Sequence, residues 1–320
     1  MACSKVYFLL VITFLGLFLN VDANLDPNYY SNTCPQALSI VKQGLEEAIA
    51  NEARVGASLL RVHFHDCFVN GCDGSILLDN SATIQSEKQA APNNNNSARG
   101  FEVVDQIKAN LEYACPGIVS CADTLAIIAR DAVVHYGGPT WEVRLGRRDS
   151  VTANRVGANM LIPAPFFNLN NLTSSFAAQG LSFNDMVALS GAHTVGFARC
   201  TNFRAHIEND SNIDTTLATS LQQICPKMGN DDALEPLDIQ TPFVFDNKYY
   251  QNLVVQKGLL HSDQQLFNQN KADSLVLIYA VDQGKFFDDF VKGMIKMGNI
   301  NPLTGSDGEI RCNCRKPNYS

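Results

Sequence analysis

Between residues 61 and 75 the chain runs RVHFHDCFVNGCDGS, which brings one Arg, two His, two Asp and two Cys into a single short stretch. The apolar spacing around it predicts a helix over 55–68, and on a helix Arg61 and His65, four apart, share a face with Phe64 on its adjacent edge. His63 is two residues from His65 and points elsewhere, so a chelating His63/His65 pair, which needs i,i+4 spacing on a helix or i,i+2 on a strand, is disfavoured. A permanent cation beside an imidazole suits acid/base work: the His moves a proton and the Arg steadies developing negative charge. The competing reading is a His satisfied in the core with an Arg at its surface. Cys67 and Cys72 bracket Asn70-Gly71 and fit a local disulfide. The loop they would close offers Asp66, Asp73 and Ser75 as hard oxygen donors of the kind Ca²⁺ takes, against the alternative of a solvated acidic turn.

A second constellation lies far downstream. LSGAHTVG (189–196) places His193 near the end of a short helix that begins after Ser182, and LLHSDQQLF (259–267) sets Asp263 in mostly apolar surroundings. A carboxylate buried without a partner is costly. Pairing His193 with Asp263 would satisfy both, and it is how a metal-bound His has its tautomer fixed and its donor strength raised. Spacing alone leaves that pair open.

The elements that must position these groups are mostly helical. Three- and four-residue apolar spacing with capping residues predicts helices at about 35–50, 55–68, 97–114, 119–136, 168–179, 182–190, 247–257, 271–282 and 284–298. Strand-like alternation is scarce. The loops at 69–96 and 226–246, rich in Asn, Asp, Gly and Pro, are long enough to bind something or to be stapled. There is no internal repeat, and NNNN at 93–96 is the one low-complexity run.

Residues 1–23, with Lys5 followed by an apolar stretch to Leu19 and then Ala23, have the form of a signal peptide. With Cys3 removed, nine of ten Cys remain, an odd number that suits an oxidising compartment but leaves one thiol over. Asn-x-Ser/Thr sequons stand at Asn95, Asn171, Asn209 and Asn318. A formal net charge of -8, with no basic run longer than Arg147-Arg148, argues against nucleic acid and anionic membrane surfaces. No second apolar stretch long enough to span a bilayer follows.

Taken together, RVHFHDCFVNGCDGS, EKQAAPNNNNSARGF, VSCADTLAIIARDAV, GRRDS, LSGAHTVG, FDNKYY, GLLHSDQQLF and IRCNCR, in that order from about residue 25 to the end, closely resemble the plant secretory (class III) haem peroxidases. The resemblance implies a mostly α, two-domain peroxidase fold with haem b between a distal half (about 24–166 plus the C-terminal helices) and a proximal half (about 167–270). It implies His193 as the iron ligand with Asp263 as its hydrogen-bond partner, and His65 and Arg61 as the acid/base and charge-stabilising groups of the other haem face. Phe64 would limit access to the iron. The family keeps an Asn bonded to the distal His; Asn93 is the best match, with Glu87 supporting it, and Asn94 is the alternative because the Asn run is one residue longer than usual.

Two Ca²⁺ sites are implied: a distal one of Asp66, Val69, Gly71, Asp73 and Ser75, and a proximal one of Thr194, Asp238, Thr241, Val244 and Asp246. The implied disulfides are Cys34–Cys115, Cys67–Cys72, Cys121–Cys314 and Cys200–Cys225, with Cys312 able to compete with Cys314. Pro163 in IPAPFF matches the family's substrate contact, and Leu237 stands where intracellular relatives carry a radical-storing Trp. The implied reaction reduces hydrogen peroxide and takes one electron from each of two small phenols. A monomer is expected, and, since RCNCRKPNYS lacks the apolar tail of vacuolar relatives, so is a place in the extracellular space or cell wall. Two other classes fit less of the sequence: a haem-free, Ca²⁺-stabilised binding protein, and a secreted metal hydrolase on His63, His65 and Asp66.

Overall fold

Four-residue apolar spacing becomes buried helix faces. In the computed structural model, which describes residues 25–94 and 97–319, α1 (Ala37–Asn51) buries Ala37, Val41, Leu45 and Ile49. The segment expected to be a signal peptide and the sequon at Asn95 lie outside the described residues. Helix α2 (Val55–Cys67) packs on α4 (Cys121–His135), and α4 is so enclosed that Ala122 to Ala129 are all buried. Between them α3 (Phe101–Ala114) lies on α1. The 97–114 helix starts four residues late because Gly100 caps it at φ 88°, a left-handed backbone that favours glycine, and a Cβ there would crowd Leu59.

After α4 come α5 (Arg155–Leu161), α6 (Leu169–Ala178), α7 (Phe183–Ser190), α8 (Cys200–Asn209), α9 (Thr215–Ile224), α10 (Lys248–Val254), α11 (His261–Gln264), α12 (Asp273–Val281) and α13 (Gln283–Met297). Side-chain caps start several of them: Ser120, Asn154, Asn168, Asp214 and Asp282 each accept from a backbone N–H, and Ser182 with Asp185 makes a capping box on α7. Helices α5, α8, α9 and the four-residue α11 lie outside the spans that the apolar spacing predicts. Each is short, 7 residues in α5 and 10 in α8 and α9, so the apolar spacing repeats over too few turns to stand out. A disulfide from Cys200 to Cys225 ties these two together. The 226–246 loop contributes β2 (Leu234–Pro236), antiparallel to β1 (Phe197–Arg199).

One large core runs from Tyr30 to Cys314, and a smaller one gathers Phe203, Ile207, Leu221, Leu259 and Leu260 around α8 and α9. Disulfides also join Cys34 to Cys115, Cys67 to Cys72 and Cys121 to Cys314, leaving Cys312 exposed as a free thiol. The Cys121–Cys314 bond ties the C-terminal segment to the start of α4. Beside it the buried Asp149 accepts from the backbone N–H groups of Cys121, Ala122 and Arg311, and Arg311 Nη2 reaches the Gly74 carbonyl. The chain end thereby braces the acidic loop after α2. No helix among the described residues is long and apolar enough to cross a membrane.

Candidate active site

Helix α2 delivers Arg61, Phe64 and His65 as its spacing requires, and the Asn-rich loop folds back over them. His65 Nδ1 hydrogen-bonds Asn93 Oδ1, and Asn93 Nδ2 donates to the Glu87 carbonyl at 2.9 Å. Asn93, rather than Asn94, therefore faces the ring; both are neighbours on a turn, and only the fold separates them. With its Nδ1 taken, the His65 Nε2 has no partner among the described residues. Burial, with the Arg61 charge adding to it, holds the His65 pKa well below the usual 6.5, so the ring is a neutral base at physiological pH.

Arg61 is pinned by main-chain carbonyls that no motif announces. Its Nη1 donates to the Ser97 carbonyl at 2.7 Å and its Nη2 to the Pro92 carbonyl at 3.0 Å. A guanidinium carries five N–H donors, so others remain for a ligand. Burial and the nearby Arg199 charge lower its pKa to about 10, which leaves it a cation. Phe64 packs at 4.4 Å from the Phe68 ring and 5.3 Å from the His65 ring, measured between centroids. His63 does not join His65. It is buried against the Cys67 sulfur, and burial lowers its pKa to about 3, so it stays neutral and structural.

His193 sits on a 3-10 turn (Gly191–Thr194) that continues α7, and Asp263 on the short α11, whose Leu260 N–H the carboxylate also caps at 3.2 Å. The two meet at 2.7 Å, His193 Nδ1 to Asp263 Oδ1. The same oxygen accepts from the buried Tyr249 hydroxyl at 2.9 Å, a partner within FDNKYY to which the sequence reading assigned no part. Asp263 is 2% exposed, yet the His193 side chain is 36% exposed and its Nε2 has no partner among the described residues. An imidazole locked by a buried carboxylate, with its outer nitrogen open, has the donor chemistry of an axial haem ligand, so these residues fit haem.

The oxygens of both acidic clusters converge. Asp66 and Asp73 are buried, and burial together with their mutual repulsion pushes the Asp66 pKa well above its usual value; burial likewise raises Asp73. The Ser75 hydroxyl and one oxygen of Glu87 are buried without a partner, and burial with the Asp73 charge lifts Glu87 to about 7. A dication would satisfy these orphaned oxygens and keep the carboxylates ionised. Gly71 approaches so closely that a Cβ would lie 2.5 Å from the Asn301 carbonyl, at φ 128°. Val69, also buried, precedes it in this loop.

In the second cluster the Thr194 hydroxyl lies 3.2 Å from Asp238 Oδ2, 3.4 Å from the Val244 carbonyl and 3.4 Å from Asp246 Oδ1. The Thr241 hydroxyl lies 3.2 Å from that same Asp246 oxygen. Oxygens spaced so evenly suit a cation that takes ligands at about 2.3–2.6 Å. Pro163 is half-buried on the loop after α5.

The Peroxidase family model matches residues 41–282. The chain belongs to the peroxidase family. Among curated relatives it is 55% identical to Peroxidase 4 of Vitis vinifera, over 97% of this chain and 98% of that one. It is also 55% identical to Peroxidase 70 of Zea mays over 97% of each, and 56% identical to Peroxidase P7 of Brassica rapa over 92% of this chain and all of that one. It is thus an enzyme with peroxidase activity on the mostly α haem peroxidase fold of its plant relatives, and that family membership implies haem, hydrogen peroxide and a small reductant.

Proposed function

We propose that this peroxidase is secreted to the extracellular space or cell wall, works as a monomer with haem b and two Ca²⁺, and oxidises small phenols such as lignin-type alcohols or wall phenolics. One observation carries the site assignment: His65 and His193 are each fixed through Nδ1, by Asn93 and by Asp263, and each keeps Nε2 open. In this reading His193 would hold the haem iron, between a distal half (about 24–166 with the C-terminal helices) and a proximal half (about 167–270).

When bound, haem supplies the redox chemistry. The protein's part is proton transfer and orientation. Neutral His65 takes a proton at Nε2 from one oxygen of hydrogen peroxide and returns it to the other, so that water can leave, while Arg61 stabilises the negative charge of the separating oxygen. Asn93 holds the His65 tautomer that makes this possible, with Glu87 behind it. Asp263 gives His193 anionic character, and Phe64 limits approach to the iron. The overall balance is one peroxide and two phenols giving two waters, each phenol losing one electron and one proton. Pro163 would contact the phenol.

The test is an absorption spectrum of the purified protein. A Soret band that changes on one equivalent of hydrogen peroxide and returns on two equivalents of a phenol is the expected result. A protein that shows no Soret band after haem reconstitution would overturn the reading.

Calcium makes a separate prediction. Asp66, Val69, Gly71, Asp73 and Ser75 would hold one ion, and Thr194, Asp238, Thr241, Val244 and Asp246 the other. Chelation should release two Ca²⁺ per chain and lower Tm, since an ion held at a thousandfold excess over its Kd contributes about 4 kcal/mol. Because Thr194 adjoins His193, the Soret band should shift with the loss and recover when Ca²⁺ returns. A chelated protein with unchanged Tm and spectrum would count against both sites.

A further inference from the structure

Away from the groups used so far, His206, Asp210 and His261 meet at the edge of the smaller core. His206 is on α8, Asp210 caps its C-terminal end, and His261 opens α11. One carboxylate oxygen, Asp210 Oδ2, lies 2.5 Å from the Nδ1 of each imidazole. The two rings stand almost at right angles, at 86°. His206 is fully buried, with an Nε2 that has no partner, whereas the side chains of Asp210 and His261 are 24% and 26% exposed. Burial works against the charge on Asp210, but the bonds from His261 and His206 outweigh it and hold the carboxyl below its usual value. The support is firm: Phe203 and Ile207 of α8 share a core with Leu259 and Leu260, which lead into α11.

We propose that His206, Asp210 and His261 form a binding site for a borderline transition-metal dication of the zinc or copper class. Two imidazole nitrogens and one carboxylate oxygen are the ligand set such ions prefer, in contrast to the all-oxygen clusters suited to Ca²⁺. Metal binding at Nδ1 replaces each N–H that now donates to Asp210, and the proton moves to Nε2 of the same ring, so both imidazoles bind in the neutral form. Ligands of a tetrahedral zinc ion stand about 3.3 Å apart, so each Nδ1 must open from Asp210 Oδ2 by under 1 Å, and the three ligand atoms already lie within 4.8 Å of one another. The partly exposed Asp210 and His261 can make that movement, while buried His206 acts as the fixed member. Solvent or one further ligand completes the shell. Asp263 follows His261 by two residues on the same four-residue helix, so an ion here braces the element that holds the His193 partner.

None of the three residues belongs to the haem or calcium groups, so the test is independent of those readings. The full secreted chain, with its haem and in excess Ca²⁺ to keep hard-oxygen sites filled, is titrated calorimetrically with Zn²⁺. One saturable site per chain is expected, weakened roughly tenfold or more in His206→Gln, His261→Gln and Asp210→Asn, and unchanged in the exposed control His135→Gln. Zn²⁺ should raise the Tm of wild type and of His135→Gln but not of His261→Gln, whose partly exposed side chain can be replaced without disturbing the core. Absence of saturable Zn²⁺ binding to wild type, or binding undiminished in His261→Gln, overturns the assignment.

Discussion

Replacing His65 by Ala lowers the rate of reaction with hydrogen peroxide by about 10²–10⁴-fold, the range lost when a positioned acid/base group is removed. The rest of the site stays in place. Arg61 stays pinned by the Ser97 and Pro92 carbonyls, and the His193–Asp263 pair is untouched, so binding and charge stabilisation persist while the proton carrier is gone. The Soret band of the variant should match wild type, separating lost acid/base function from lost haem. The pH profile gives a second check. Burial and Arg61 disfavour the protonated ring, so the active neutral form survives as pH falls through 6.5, and the peroxide step declines only at more acidic pH. In the variant that acidic decline disappears. Stopped-flow traces of the Soret change against pH decide the matter: a wild-type profile that falls near pH 6.5, or a variant within about threefold of wild type, would sink the role given to His65.

Asp123→Ala destabilises the fold by about 3–5 kcal/mol, the cost of leaving one member of a buried ion pair uncompensated. Asp123 is fully buried in α4, and its carboxylate accepts from Arg147 Nη1 at 2.8 Å, the Gly146 N–H at 2.7 Å and the Tyr30 hydroxyl at 2.7 Å. Arg147, 2% exposed, would be left charged with only main-chain carbonyls for partners. Burial raises the Asp123 pKa although Arg147 opposes it, so the pair adds little net stability while its rupture is expensive. For a chain of this size the loss reads as a fall in Tm of about 10 °C. A Tm within about 2 °C of wild type would mean that water or a rearranged side chain replaces the carboxylate.

The helical class and the chemistry of both His groups were legible because they depend on local quantities. The i,i+4 step that sets Arg61 beside His65 is a property of any helix, and the four-residue apolar spacing of α1 is strong enough to survive in any tertiary setting. Helices α5, α8, α9 and α11 give no such signal because they are short, and a disulfide from Cys200 to Cys225 helps to hold α8 and α9. Motif order from residue 25 onward identified the family, since eight segments in sequence carry far more information than any spacing within one.

By itself, then, the sequence determined which residue types could do peroxide chemistry, the helices that carry most of them and the family to which the chain belongs. The tertiary structure alone decided which of two adjacent Asn bonds His65, that Cys314 rather than Cys312 bridges to Cys121, that loop carbonyls pin Arg61, that Tyr249 shares the carboxylate of Asp263, and that His206 and His261 meet on Asp210. Each of these is a contact between segments tens to hundreds of residues apart, or a choice between neighbours with the same chemistry. Local periodicity carries no record of either; they are settled when the core closes and most buried polar atoms take partners from distant segments.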